Sequence, residues 1–441
     1  MPLNTLEQLR SGELAGSRRV KLACGLSEFP REIFALAETL EILDLSGNAL
    51  SSLPNDLPRL HRLRILFCSD NQFTELPAVL GLCPRLTMIG FKANRIRTVP
   101  AAALPSGLRW LILTDNRIAE LPAAIGRCRQ LQKLMLAGNR LTALPPEMAA
   151  CSRLELLRIA ANRLTALPAW LLSLPRLCWL AYAGNPFCAD AEQRSLARAP
   201  IVPIAWDDLQ LGQQLGEGAS GVIHQADWLG EESLQAVAVK IFKGELTSDG
   251  LPLKEMTACL GAGRHVNLIP VLGKVDRHPA AAHGLVMALI DASFANLAGP
   301  PSLESCTRDV YQADRRFAFA AALRLAHGIA SAAEHLHARG IMHGDLYAHN
   351  ILHGADGTAL LGDFGAASFF APDDRPVAEA LQRIEVRAFA CLLEELLARC
   401  DPSLAGHQAL AELQAACAEE TIAARPLFAE IVATLAALRR R

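Results

Sequence analysis

The sequence predicts two domains of different class: an α/β solenoid of short repeats, then an α+β domain whose strands come before its helices. Three observations predict this. Asparagines 48, 71, 94, 116, 139, 162 and 185 recur every 22 or 23 residues. Beyond residue 206 that period is lost, and strand-like runs (209–215, 222–228, 237–240) precede a strong helical run from Phe317 to Ala338. At 441 residues the chain is also too long for one ordinary core.

Each repeat has the same lettering. Around Asn48 the positions read Leu40, Leu43, Leu45, Asn48, Leu50, Leu53, Pro54, and around Asn139 they read Leu131, Leu134, Leu136, Asn139, Leu141, Leu144, Pro145. This period and lettering are those of a leucine-rich repeat. An eighth, degenerate unit with Val20, Leu22 and Gly25 precedes them, and the unit at Asn185 fades after Phe187. Alternating leucines make a short strand with two side chains inward. The Asn amide both donates and accepts within the turn, satisfying backbone groups that leave the strand unpaired. No unit buries its own apolar face, so stability comes from stacking. Leu3, Leu6, Leu9 and Leu14 suggest a helix within residues 1–17 that caps the open end. The repeats are expected over 18–190. Their outward strand positions, including Phe67, Trp110, Ile112, Met135, Arg158, Trp179 and Ala181, are expected to line a concave face that binds a protein ligand. Residues 191–205, with Pro200 and Pro203, read as a linker that couples the two halves near Pro200.

The formal charge is −2, with no basic run beyond Arg439–Arg441, so a nucleic-acid partner is not indicated. Neither a signal-peptide core nor an apolar stretch long enough for a membrane span is found, and a cytoplasmic protein is expected. The twelve cysteines form no C-x-x-C pair. Cys83, Cys128 and Cys151 share one repeat position and read as buried free thiols, as does Cys68.

The chemistry lies in the second half. Gly216-Glu217-Gly218-Ala219-Ser220-Gly221 falls between two strand-like runs, on a hairpin tip whose backbone can close over phosphates. A dinucleotide-binding reading would need a helix next, and here another strand follows. Val237-Ala238-Val239-Lys240 then places one of only seven lysines, against 36 arginines, where an ammonium could hold phosphate oxygens. Glu255, in a helical run, is the partner that would aim it. His343-Gly344-Asp345 leads to Asn350, and Asp363-Phe364-Gly365 follows. Asp345 would accept or orient the proton of an attacking hydroxyl. Asn350 and Asp363 would ligate magnesium. Phosphoryl transfer needs mostly positioning and charge neutralisation, which two acids and an amide can supply. His343 and Phe364 read as packing residues, and His349 and His353 as bystanders.

In this order and spacing the phrases resemble a eukaryotic-type protein kinase domain over 206–441. The whole chain resembles a bacterial leucine-rich-repeat protein kinase. The resemblance implies a bilobal α+β fold, ATP and Mg2+ as cofactors, and a protein substrate with serine or threonine as acceptor. It makes Gly216, Gly218, Gly221, Val222, Ala238, Lys240, Met287, Ala288 and Ile290 the nucleotide contacts, with Met287 as gatekeeper, and Lys240, Glu255 and Asp345 the catalytic set. There are departures. Gly344 replaces the arginine that in the family grips an activation-segment phosphate. Tyr347 and His349 stand where a basic residue is usual. Glu385 stands in place of the helical aspartate. Ala371-Pro372-Asp373 comes only ten residues after Asp363, and Asp373 is the candidate partner of Arg425. Ser368 is the only hydroxyl residue of that segment, so control by its phosphorylation is not expected. A small-molecule phosphotransferase and a nucleotide-binding scaffold without activity remain as alternatives.

Overall fold

The computed structural model describes residues 3–197, 202–230, 233–244 and 246–440. The chain divides into two compact units, Met1–Arg176 and Leu177–Arg441.

The first unit opens with helix α1 (Leu6–Arg10), started by a capping box between Thr5 and Gln8. Leu9 and Leu14 are buried, whereas Leu3 is exposed. Seven three-residue strands follow: β1 (Arg19–Lys21), β2 (Ile42–Asp44), β3 (Ile65–Phe67), β4 (Met88–Gly90), β5 (Trp110–Ile112), β6 (Lys133–Met135) and β7 (Leu156–Arg158). They pair in parallel, in order and without slips. Short 3-10 helices such as Ala78–Leu82 make the return path, most of them starting just after the repeat proline. The central residue of every strand is fully buried.

The asparagines do more than close their own turns. The Asn116 amide donates to Leu113 O (3.1 Å) and also to Phe91 O of the preceding repeat (2.8 Å), while its oxygen accepts from Ile96 N (2.9 Å). Asn94, Asn139 and Asn162 repeat this arrangement. Each side chain therefore joins neighbouring repeats. Asn116→Ala leaves the buried Ile96 amide without its acceptor and removes one of two donors from the Phe91 and Leu113 carbonyls, which Asn94 and Asn139 still reach, and we expect it to cost about 1–3 kcal/mol. The check is the midpoint of chemical denaturation, where an unchanged midpoint would contradict this role. Cys83, Cys128 and Cys151 donate to carbonyls of their own or the adjoining repeat, and burial pushes each thiol up to about 11.

The second unit begins inside the last repeat, not after residue 190. Strand β8 (Trp179–Ala181) is followed by helix α2 (Ala189–Ala197). The segment expected to be a linker is thus structured in part; Pro200 itself lies outside the described residues. Strand β9 (Pro203–Ala205) is not linker either. It is the edge of a six-stranded sheet with β10 (Leu209–Glu217), β11 (Gly221–Leu229), β12 (Leu234–Phe242), β13 (Val271–Asp276) and β14 (Gly284–Ala288), in the order β10-β11-β12-β14-β13-β9. Ile204 of β9 packs with Leu209, Ala226, Val237, Val239, Val275 and Val286 in the core of this lobe, so the lobe starts earlier than residue 206. Helix α3 (Pro252–Ala262) lies between β12 and β13 in sequence, with a proline in its first turn.

The other lobe is helical: α4 (Phe319–Ala338), α5 (Arg375–Leu397), α6 (His407–Cys417) and α7 (Phe428–Arg439). Short strands carry its candidate site loops. They are β15 (Ala295–Asn296), β16 (Ile341–Met342), β17 (Ile351–His353), β18 (Ala359–Leu361) and β19 (Ser368–Phe369); β15-β17-β18 form one sheet and β16-β19 another.

Candidate active site

The β10–β11 hairpin carries the glycine loop, as its spacing implies. Gly218 N bonds Gly221 O at 2.9 Å and closes the tip. Gly216 and Gly218 have open space where a side chain would stand, whereas a Cβ on Gly221 would lie 2.5 Å from Ile241 O of the next strand. The first two leave room for a ligand, and the third is required by strand packing.

Lys240 lies in β12 and forms an ion pair with Glu255 of α3, both side chains being largely buried. Burial pulls the Lys240 ammonium down, but the Glu255 and Asp363 carboxylates outweigh it and hold it above its ordinary value, as a cation. The second oxygen of Glu255, Oε2, is buried without a partner.

The loop after β16 contains Asp345 and Asn350. Asn350 Nδ2 donates to Asp345 Oδ2 (2.8 Å) and Asp345 O (2.9 Å), leaving the carboxamide oxygen as the atom that could bind a cation. Two bonds fix this loop to the Asp363 turn: Gly362 N to Asn350 O (3.0 Å), and His343 Nε2 to Gly362 O (2.9 Å). Asp363 adopts a left-handed backbone (φ 51°), and its Oδ1 accepts from Gly365 N (3.1 Å). His343 is fully buried beside Phe364, ring centroids 5.1 Å apart, which matches a packing role for both.

A cavity of about 220 Å³ joins the glycine loop, the Lys240–Glu255 pair and the Asp363 turn. Gly218, Gly221, Lys240, Glu255, Met287 and Asp363 line it. Gly216, Val222, Ala238, Ala288, Ile290, Asp345 and Asn350 do not. The cavity runs behind the Lys240–Glu255 pair towards Cys259, Leu268 and Ile269, rather than outward past the end of β14. Ala238 faces Met287 across the β12–β14 pair, so those two expected contacts sit side by side at its edge. Leu285 shares the Met287 face by strand alternation and lines the cavity, a signal open to sequence reading but not used.

Other expectations are corrected. Arg425 is buried and donates to the carbonyls of Glu419 (2.7 Å) and Arg383 (3.0 Å), whereas Asp373 is exposed; backbone carbonyls take the place of the expected carboxylate. His349 has a structural partner. It bonds Asp309 through Nδ1 (2.7 Å) and, although burial opposes it, Asp309 holds the ring above its ordinary pKa. Of the outward repeat positions, Phe67, Trp110 and Ile112 are half-exposed, but Met135, Arg158, Trp179 and Ala181 are buried. The Trp179 ring stacks on Tyr347 and is not available to a ligand.

The protein tyrosine and serine/threonine kinase family model matches residues 209–396. Leucine rich repeat models match 129–187 and 39–60. The chain combines leucine-rich repeats with a protein-kinase domain. Fibroblast growth factor receptor 1 of Pleurodeles waltl is 27% identical over 202 residues, covering 43% of this chain and 24% of that protein. Megakaryocyte-associated tyrosine-protein kinase of Rattus norvegicus is 33% identical over 179 residues, 41% of this chain and 34% of that protein. The chain thus spans about a quarter to a third of the length of these relatives.

Proposed function

We propose that this chain is an ATP-dependent protein kinase whose repeats select a protein partner. One observation carries the reading: Lys240, Glu255 and Asp363 meet at one cavity, and Asp363 is tied through Gly362 to the loop of Asp345 and Asn350. The donor set fits a nucleoside triphosphate with a hard divalent cation. Carboxylate and carboxamide oxygens suit magnesium, an ammonium suits phosphate, and the glycine loop offers backbone without side chains. Bound magnesium would neutralise charge on the β- and γ-phosphates.

In this reading Lys240 binds the phosphates and Glu255 aims it. Gly216, Gly218 and Gly221 cover them. Val222, Ala238, Met287, Ala288 and Ile290 enclose the base. Asn350 and Asp363 hold the cation, and Asp345 accepts or orients the proton of the acceptor hydroxyl. Serine or threonine was expected as acceptor, but one relative is by name a tyrosine-protein kinase, so both hydroxyl classes go to the test. The half-exposed Phe67, Trp110 and Ile112 support a protein ligand on the repeats. Buried thiols that form no disulfide among the described residues and the use of ATP support a cytoplasmic setting, and arginine-over-lysine composition supports a bacterial one. No helix among the described residues is long and apolar enough to cross a membrane.

The test is incubation of the full chain with γ-labelled ATP and magnesium, followed by phosphoamino-acid analysis. Wild type should transfer label to itself or to added protein. Lys240→Met and Asp363→Asn should each lower transfer by about 10²-fold or more. A second reading, transfer to a small alcohol, draws on one observation: only Phe370–Asp374 separate β19 from α5, which leaves little platform for a peptide. Label on a small alcohol and on no protein would decide for it.

A further inference from the structure

The last repeat and the helix after it touch both halves of the candidate active site. Trp179 of β8 is 1% exposed. Its ring stacks on Tyr347 with centroids 4.1 Å apart and planes 7° apart, and its Nε1 donates to Leu346 O (3.2 Å). Both partners lie between Asp345 and Asn350. Three residues on, Tyr182 N donates to Ser368 Oγ (2.8 Å). Ser368 is fully buried in β19, which pairs with β16, the strand leading into the Asp345 loop.

Helix α2 reaches the other half. Buried Glu192 forms an ion pair with Lys254, the neighbour of Glu255 in α3. The same carboxylate accepts from Gly184 N (2.7 Å) and Cys188 Sγ (3.1 Å), so it is anchored to the turn after β8. Ser195 packs so closely on Gly261 of α3 that a Cβ there would collide with its Oγ.

We propose that residues 177–197 form a built-in positioning segment, which holds the Asp345–Asn350 loop with Trp179 and the Glu255 helix with Glu192. This rests on the phosphotransfer reading above. With the segment docked, the Lys240–Glu255 pair is formed and Asn350 is bonded to Asp345, so docking accompanies an assembled site. The segment takes the place of a phosphate-dependent contact. Gly344 has no side chain to bind a phosphate, and Ser368 is buried with its hydroxyl engaged. Trp179 is here a positioning residue, acting through Tyr347 and the Leu346 carbonyl.

The test uses the full chain carrying Trp179→Ala, Trp179→Phe or Lys254→Met, with hydrogen–deuterium exchange and ATP turnover as readouts. Trp179→Ala should speed amide exchange across residues 343–350 and lower kcat by about 10- to 100-fold, with KM for ATP changed less than about threefold. Trp179→Phe, which keeps a ring for stacking, should retain most of kcat. Lys254→Met should speed exchange in residues 252–262. Unchanged exchange in both segments, or a rise in turnover on Trp179→Ala, would overturn the proposal, the second by making the contact inhibitory. Should Trp179→Ala not fold, the other two variants decide. If wild type turns over no ATP, the functional reading fails, and the exchange results still decide whether the segment holds the loop and the helix.

Discussion

Gly344→Arg, which restores the residue usual in the kinase family, is expected to cripple this protein. Gly344 has φ 73°, in the left-handed region where a Cβ is disfavoured. That Cβ would lie 2.5 Å from Ala366 O and 2.7 Å from Leu180 O. Both obstacles are backbone, one in the turn after Asp363-Phe364-Gly365 and one in β8, so neither can rotate aside. We expect the arginine to cost about 4 kcal/mol or more, a size reserved for backbone strain and overpacking together. Thermal denaturation should show the loss, and phosphate transfer should fall to background. Gly344→Ala separates the causes. It adds only the Cβ and should keep most of the penalty; if it melts like wild type, the steric explanation is wrong and the guanidinium is at fault.

Glu385→Ala is the second large effect. Glu385 lies in α5 and is fully buried, and its carboxylate accepts from Gly344 N (2.7 Å), His343 N (3.2 Å) and His337 Nε2 (2.6 Å). Burial raises its pKa, but the bonds from His337 and the backbone outweigh that and leave it below the ordinary carboxylate value. Removing it orphans two amides next to Asp345 and one imidazole. The expected cost is about 3–5 kcal/mol. The pH dependence has a definite sign. Because the folded pKa is the lower one, the stabilising contribution is complete above the unfolded value near ~4.3 and is lost as pH falls through the folded value. Wild type should therefore lose stability below about pH 4.3 more steeply than Glu385→Gln, measured by urea denaturation at each pH. Equal slopes would show that Glu385 does not titrate in this window. Glu385→Asp, the residue usual in the family, should also destabilise, since one methylene less withdraws the carboxylate from amides that its present length reaches.

These two positions show where sequence reading succeeded and where it stopped. Gly344 and Glu385 were legible as departures from a pattern, but not as parts of one structure. In the fold, Glu385 accepts from the Gly344 amide, and Gly344 gives way to the carbonyl of Leu180. Trp179 was legible as an outward strand residue, and outward in a repeat implies exposed. Its burial depends on Tyr347, 168 positions away in the sequence, which no local pattern reports. Lys240, Glu255, Asp345, Asn350 and Asp363 were legible as candidates from short local phrases, and the structure brings Lys240, Glu255 and Asp363 to one cavity. The direction in which that cavity deepens, towards Cys259 and Leu268, was not legible. It follows from how α3 packs against β13.

By itself the sequence determined the repeat register and the order of the candidate site groups. Both are local: a 23-residue period places each leucine and asparagine, and hydrogen bonds over a few residues place the glycine tip and the Asp345–Asn350 pair. Only the tertiary structure decided that the last repeat belongs with the kinase-domain unit, that Gly344 must lack a side chain, and that Ser368 is sealed. Those outcomes rest on contacts such as Trp179 to Leu346 and Tyr182 to Ser368, 167 and 186 residues apart, between surfaces that meet only once both have folded.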